Sequence, residues 1–339
     1  MNRRHACKTI AGSILFSSLL EAIRNDPLAL NYVLSSAMYG EMDLDLILPE
    51  IAKAGCQSID IWRRKHGNQR EQIEAMGENA CHRLLEKHNA QISVSTCYPL
   101  GPQGLQEEMV WLQQYGGKII VTGSGRYPDK NPQGAAAKVQ VKKMLEVMKP
   151  HVARAEETGI TIALENHSNQ LLFHPDSLQY FAEFNESPNL GIAFAPHHLH
   201  LFEDEIPTLI RDLGNENIPF IYFQEHSEGI FKKMPKEIEM QQLPGYGGGL
   251  DYRLIVAALR DIQFTGLAEI FMHPVPRGIP ILPTVPEITA AINKSRSYIG
   301  NASLQPHNRS TPRDSACSLS LPGKRPCSTT GHRLRALLL

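Results

Sequence analysis

No C-x-x-C pair occurs anywhere in this chain. Its six cysteines, Cys7, Cys56, Cys81, Cys97, Cys317 and Cys327, are scattered over 339 residues. That spacing argues against a disulfide framework or a cysteine zinc site and for reduced thiols. An excess of one charge is missing too: 34 Lys and Arg stand against 35 Asp and Glu, a formal net charge of -1. The basic footprint of a nucleic-acid-binding protein is therefore absent, and no nucleic-acid partner is expected. No apolar run reaches the roughly 20 residues that cross a bilayer, so no membrane partner is expected either. Nor does a Gly-rich phosphate turn follow the first apolar run, as an open dinucleotide-binding sheet would require. Gly123-Ser124-Gly125 comes nearest and reads as an ordinary turn.

The two ends differ from the middle. Within residues 1–28, Arg3-Arg4 and Lys8 precede a short apolar stretch from Ile10 to Leu20. This resembles a twin-arginine-type signal without a convincing cleavage site, the alternative being a frayed N-terminal extension. Localisation thus stays open between the cytoplasm and export to the periplasm. Residues 301–339 are rich in Ser, Pro, Arg and Thr, with Asp314 the sole acid. They read as a disordered C-terminal tail.

Between residues 29 and 300, short apolar runs alternate with amphipathic stretches. The runs are 30–37, 58–62, 92–98, 118–123, 160–165, 190–195, 219–224 and 266–271. Leu44, Ile47, Leu48 and Ile51 recur at helical spacing, as do Val141, Met144, Leu145 and Met148, and Leu254, Ile255, Ala258 and Leu259. Eight strand–helix units predict a parallel α/β sheet closed into a single-domain (β/α)8 TIM barrel. An open doubly wound sheet is the alternative.

Chemistry in such a barrel sits at the C-terminal ends of the strands. The fifth run ends in Glu165-Asn166-His167. The sixth leads into Pro196-His197-His198-Leu199-His200, the seventh into Gln224-Glu225-His226, and the eighth holds Glu269. Four successive strands that deliver carboxylates, imidazoles and an amide to one rim point to a metal site. Alternation puts Gly191, Ala193, Ala195 and His197 on the interior face and leaves His198 out of phase. Glu269 faces inward by the same rule, while Gln224 and Glu225 compete.

These residues give the chain a resemblance to the xylose-isomerase-like barrel superfamily of sugar phosphate isomerases and epimerases, over roughly residues 29 to 300. Its marks are Glu165-Asn166-His167, the His-rich sixth strand end, Gly249-Leu250-Asp251-Tyr252 before a helix, and Gly266-Leu267-Ala268-Glu269. The resemblance implies a divalent metal bound by Glu, Asp, His and Glu from strands five to eight. Here the Asp is replaced by His197 and the His by Gln224, so the implied ligands are Glu165, His197, Gln224 and Glu269. Manganese is favoured, with magnesium, cobalt or zinc also suited to mixed oxygen and nitrogen donors. The implied activity is a metal-dependent isomerase or epimerase that abstracts a proton α to a carbonyl of a small carbohydrate, with Glu165 and Glu269 as acid–base groups. His167, His200, His226 and Arg277 are the substrate-binding candidates. A lyase or hydratase on an oxidised keto sugar, and a non-catalytic sugar-binding barrel, are the competing readings. A related DNA endonuclease would want more ligands and a basic face. Homo-oligomers are compatible with the resemblance.

Overall fold

The computed structural model describes residues 28–125, 127 and 129–304. The expected signal or extension falls outside these residues except for Leu28, and the expected tail except for the end of the helix Val285–Leu304. Eight parallel strands close into one barrel in chain order. They are β1 (Asn31–Ser35), β2 (Ser58–Trp62), β3 (Ile92–Thr96), β4 (Ile119–Gly123), β5 (Thr161–Glu165), β6 (Leu190–Phe194), β7 (Phe220–Phe223) and β8 (Leu267–Ile270). Each lies inside an apolar run read from the sequence. Strands β2, β4 and β6 are buried along their whole length. Helices on one side and the barrel interior on the other leave a parallel strand no wet face, which is why such strands read as continuous apolar runs.

The surrounding helices follow the apolar periodicity. The helix Gly134–Thr158 buries Val141, Met144, Met148, Val152 and Ala155 and ends at Gly159, whose φ of 65° is a left-handed cap. The helix Tyr252–Asp261 starts at Asp251, whose side chain accepts from Arg253 N–H at 3.0 Å. The stretch from Leu44 to Ile51 is two short helices, Leu44–Ile47 and Glu50–Lys53, rather than one. Pro49 between them has no N–H to donate back into the first turn.

The registers define which side chains share the interior. Ser35 stands beside Asp60, Trp62 beside Thr96, Gly123 beside Glu165 and Glu165 beside Ala193. Tyr222 stands beside Glu269, and Glu269 beside Val33, closing the ring. Laterally paired residues in a parallel sheet point to the same face, so this ring is one continuous inner surface carrying Asp60, Trp62, Glu165, Tyr222 and Glu269. Among the described residues no helix is long and apolar enough to cross a membrane, and Cys56, Cys81 and Cys97 are free thiols.

Candidate functional site

The β5–β6 side of the mouth is built from one carboxyl and several imidazoles. Glu165 closes β5 and is 4 % exposed. The Tyr98 hydroxyl, from the turn after β3, donates to Glu165 Oε2 at 2.6 Å. His198 Nε2 lies 3.7 Å from Glu165 Oε1. The His198 ring packs against His167 and against His197, both at 4.0 Å between centroids. Glu165, His167 and His198 form the one group of three His, Cys, Asp or Glu side chains among the described residues whose ligand atoms all lie within 4.8 Å of one another. Burial pulls His197 and His198 far below the ordinary imidazole range, and neighbouring imidazoles add to the effect. Burial raises Glu165, against the pull of His167 and the Tyr98 hydrogen bond.

The β8–β2 side carries a carboxyl pair among aromatic rings. Asp60 and Glu269 are fully buried. Thr96 donates to Asp60 Oδ2 at 2.6 Å. Asp60 Oδ1, both Glu269 oxygens, Ser35 Oγ, Trp62 Nε1 and the Tyr222 hydroxyl are buried with no partner at hydrogen-bond distance. Burial pushes Asp60 up to about 7 and Glu269 well above the carboxylate range, the latter raised further by the neighbouring Asp60. The pair therefore carries a proton at neutral pH, which is how buried carboxyls avoid an uncompensated charge. Trp62 stacks on Phe271 at 4.7 Å. His66 packs on Trp62 at 5.2 Å, and His273 meets His66 edge-on at 5.2 Å. Tyr222, paired in register with Glu269, has its phenol raised by burial and then by Glu269 and Glu165.

The β7 end joins them. By register Gln224 continues the inner face of Tyr222. Its Nε2 donates to Gln242 Oε1 at 3.1 Å, and its Oε1 is buried without a partner. Glu225, of opposite phase, instead holds the Gly-rich loop by accepting from Leu250 N–H at 3.1 Å. A Cβ on Gly248 would stand 1.8 Å from Glu225 Oε2, so a larger residue there would have to displace the carboxyl that holds the loop.

The sequence-derived candidates are distributed as follows. Glu165 and Glu269 both line the interior. His197 is buried with its Nδ1 unpartnered. His167 is packed on His198, and its Nδ1 lies 2.7 Å from the Ser168 carbonyl. His200 and His226 stack on each other at 3.6 Å. Arg277 donates from Nη1 to the carbonyls of His273 and Pro274, and from Nη2 to that of Ile230, lacing the loops after β7 and β8. Sequence reasoning missed Asp60, Trp62, Tyr98 and Tyr222, and set His198 aside. Residues Pro196–Leu199 form a 3-10 turn, in which strand alternation no longer holds, so both His197 and His198 pack inward.

A closed parallel barrel whose C-terminal mouth gathers carboxyls and imidazoles defines the class: an α/β barrel with a donor-rich site at the catalytic end of the fold. Within that class the chain belongs to the xylose isomerase-like TIM barrel family, whose profile matches residues 48–287. No curated protein sequence matches it. The structure is similar to that of the IolI protein with a bound zinc atom, with a TM-score of 0.63 and 16% identity over 81% of this chain and 98% of that one. It is also similar to D-psicose 3-epimerase from Clostridium cellulolyticum H10 with D-tagatose, at TM-score 0.59 and 14% identity over 82% of this chain and 100% of that one. L-ribulose 3-epimerase gives TM-score 0.59 and 14% identity, covering 81% and 95%. At these identities the likeness is one of fold.

Proposed function

We propose that this protein is a metal-dependent sugar isomerase or epimerase that moves a proton at the carbon α to a carbonyl. The observation that carries the reading is that two buried carboxyls, Glu165 on β5 and Glu269 on β8, share one inner surface with Tyr222 of β7. Two acids flanking one bound sugar can remove a proton and return it. Glu165 is oriented by the Tyr98 hydroxyl, which donates to its Oε2 at 2.6 Å. Its raised pKa makes it a stronger base once deprotonated and brings it nearer the operating pH. The C–H bond breaks, its proton passes to the Glu165 carboxylate, and the electron pair enters the carbonyl oxygen. Glu269, kept protonated by burial and by Asp60, returns a proton to carbon.

A divalent cation at this mouth, when bound, supplies Lewis-acid stabilisation of the developing oxyanion. The donor chemistry fits such an ion, with the Glu165 carboxyl and the His167 and His198 rings placed so that their ligand atoms lie within 4.8 Å of one another. The uncharged His197, whose buried Nδ1 lacks a partner, and the Gln224 amide oxygen suit sugar hydroxyls. The fold shared with sugar epimerases supports a small carbohydrate as substrate.

The test is incubation of the purified, metal-loaded protein with a panel of keto sugars in D2O, followed by NMR. Deuterium entering at the α-carbon, with an epimer or isomer formed at unchanged constitution, is the expected result. A product lacking the elements of water would replace this reading with a lyase. Sugar binding with neither deuteration nor product would replace it with a binding barrel.

A further inference from the structure

We propose that the divalent cation is held by Glu165, His167 and His198 on the β5–β6 side of the mouth rather than by the four-strand set Glu165, His197, Gln224 and Glu269, so that His197, Gln224 and Glu269 are left to face substrate. The inference deepens the reading above and rests on it for the substrate alone, because cation binding is measurable without turnover.

Three observations assign the site. First, the ligand atoms of these three residues lie within 4.8 Å of one another, and His198 Nε2 is 3.7 Å from Glu165 Oε1. Donors around a tetrahedral ion with bonds of about 2.0–2.2 Å stand roughly 3.3–3.6 Å apart, so side-chain adjustment of about 1 Å closes the shell. Second, the tautomer of His167 is fixed. Its Nδ1 lies 2.7 Å from the Ser168 carbonyl oxygen, which can only accept, so Nδ1 carries the hydrogen and Nε2 is the nitrogen left to ligate. An imidazole that donates its other N–H to a backbone carbonyl is the usual support of a metal-ligating histidine. Third, the Tyr98 hydroxyl occupies Glu165 Oε2 at 2.6 Å and leaves Oε1 as the donor on the His198 side.

The alternative set is chemically poorer. Strand β6 brings no Asp to its end, and β7 offers Gln224, a neutral amide already tied to Gln242 through Nε2. Glu269 neighbours Asp60 and is not part of the compact group. The unpartnered His197 Nδ1 and Gln224 Oε1 are matched instead to donors and acceptors of a polyol.

The experiment is Zn2+ affinity by competition with a chromophoric chelator, with Co2+ d–d absorption as a second readout, on the full chain. Each variant is first checked for folding by thermal denaturation, and His→Gln variants stand in for any His→Ala variant that fails to fold. His167→Ala and His198→Ala are expected to weaken Zn2+ binding at least about 100-fold and to alter the Co2+ spectrum, and Tyr98→Phe to weaken it about 10-fold. His197→Ala and Gln224→Ala are expected to leave affinity within about threefold, since neither is a ligand or hydrogen-bonds to one; His197 only packs on His198. The reverse pattern, or wild-type protein that binds neither ion, overturns the assignment. Deuterium exchange on the same proteins separates the two claims. Zn2+ bound through His167 and His198 with no exchange on any keto sugar sinks the proposed function and leaves this inference standing. Exchange that persists in His198→Ala with Zn2+ still bound sinks this inference and leaves the function standing.

Discussion

On the β5–β6 side of the mouth, imidazoles crowd a single carboxyl. On the β8–β2 side, two carboxyls share a wall with Trp62, Phe271 and Tyr222. Glu165, His197 and His198 on one side and Asp60 and Glu269 on the other are buried, and burial penalises whichever charge a group would carry. Burial therefore disfavours the charged forms of His197 and His198 on one side and of Asp60 and Glu269 on the other. On the proposed reading, one rim thus offers a cation-binding side and a proton-donating side. Breaking the first carboxyl of each side tests this division most severely. Glu165→Gln and Glu269→Gln are each expected to lower α-proton exchange by about 10²–10⁴-fold, the usual contribution of a positioned acid or base. NMR deuteration rates measure it. Exchange unchanged in Glu269→Gln would remove the β8–β2 side from the chemistry.

The aromatic wall is what keeps the carboxyl pair dry. Trp62 is 1 % exposed and stacked on Phe271. Trp62→Ala should cost about 3–5 kcal/mol by loss of packing and cavity formation. At roughly 2–4 °C per kcal/mol for a domain of this size or a little smaller, Tm should fall by about 10 °C. Calorimetry decides it. A fall of only a degree or two would mean that the ring already borders open space.

The pH dependence of stability separates the buried carboxyls from the buried imidazoles by sign. Asp60, at about 7 in the fold against 3.8 when unfolded, binds its proton more tightly in the native state. Its contribution is present below about pH 4 and is lost as pH rises through 7. His66, pulled down to about 4 by burial from 6.5, works the other way. The native state sheds that proton more readily, so stability is lost as pH falls from 6.5 towards 4. Between pH 6.5 and 8 the carboxyl pair acts without opposition from the imidazoles. Tm should then drop by about 2–4 °C, on the scale of about 1.4 kcal/mol per proton per pH unit. Asp60→Asn should flatten that slope. A slope that survives the substitution would place the proton elsewhere.

Much of this was legible in the sequence, for identifiable reasons. Every barrel strand lay in an apolar run because a parallel strand buried on both faces leaves no polar alternation to blur it. Glu165 and Glu269 stood out as charges closing or interrupting such runs. His198 was hidden because its phase was read as strand, whereas Pro196–Leu199 turns as a 3-10 segment. Asp60 carried a usable signal, a lone acid in the middle of Ser58–Trp62. Tyr98 and Tyr222 carried none, since a tyrosine beside or within an apolar run reads as packing until its hydroxyl is located.

Arg277 gives the smallest expected effect and the finest distinction. It read as a substrate-binding candidate, yet its two terminal nitrogens bond three loop carbonyls between His273 and Ile230. If that lacing is its role, Arg277→Met removes hydrogen bonds from a charged donor worth on the order of 1.5–3 kcal/mol. Tm should fall by about 5 °C, and KM should rise by less than about threefold with kcat little changed. If instead the guanidinium grips the sugar, KM should climb by well over an order of magnitude while Tm hardly moves, because a substrate contact is not made in the free protein. The two readouts move in opposite directions, so one variant assigned by both settles whether the loops after β7 and β8 are tied together for stability or held open for ligand.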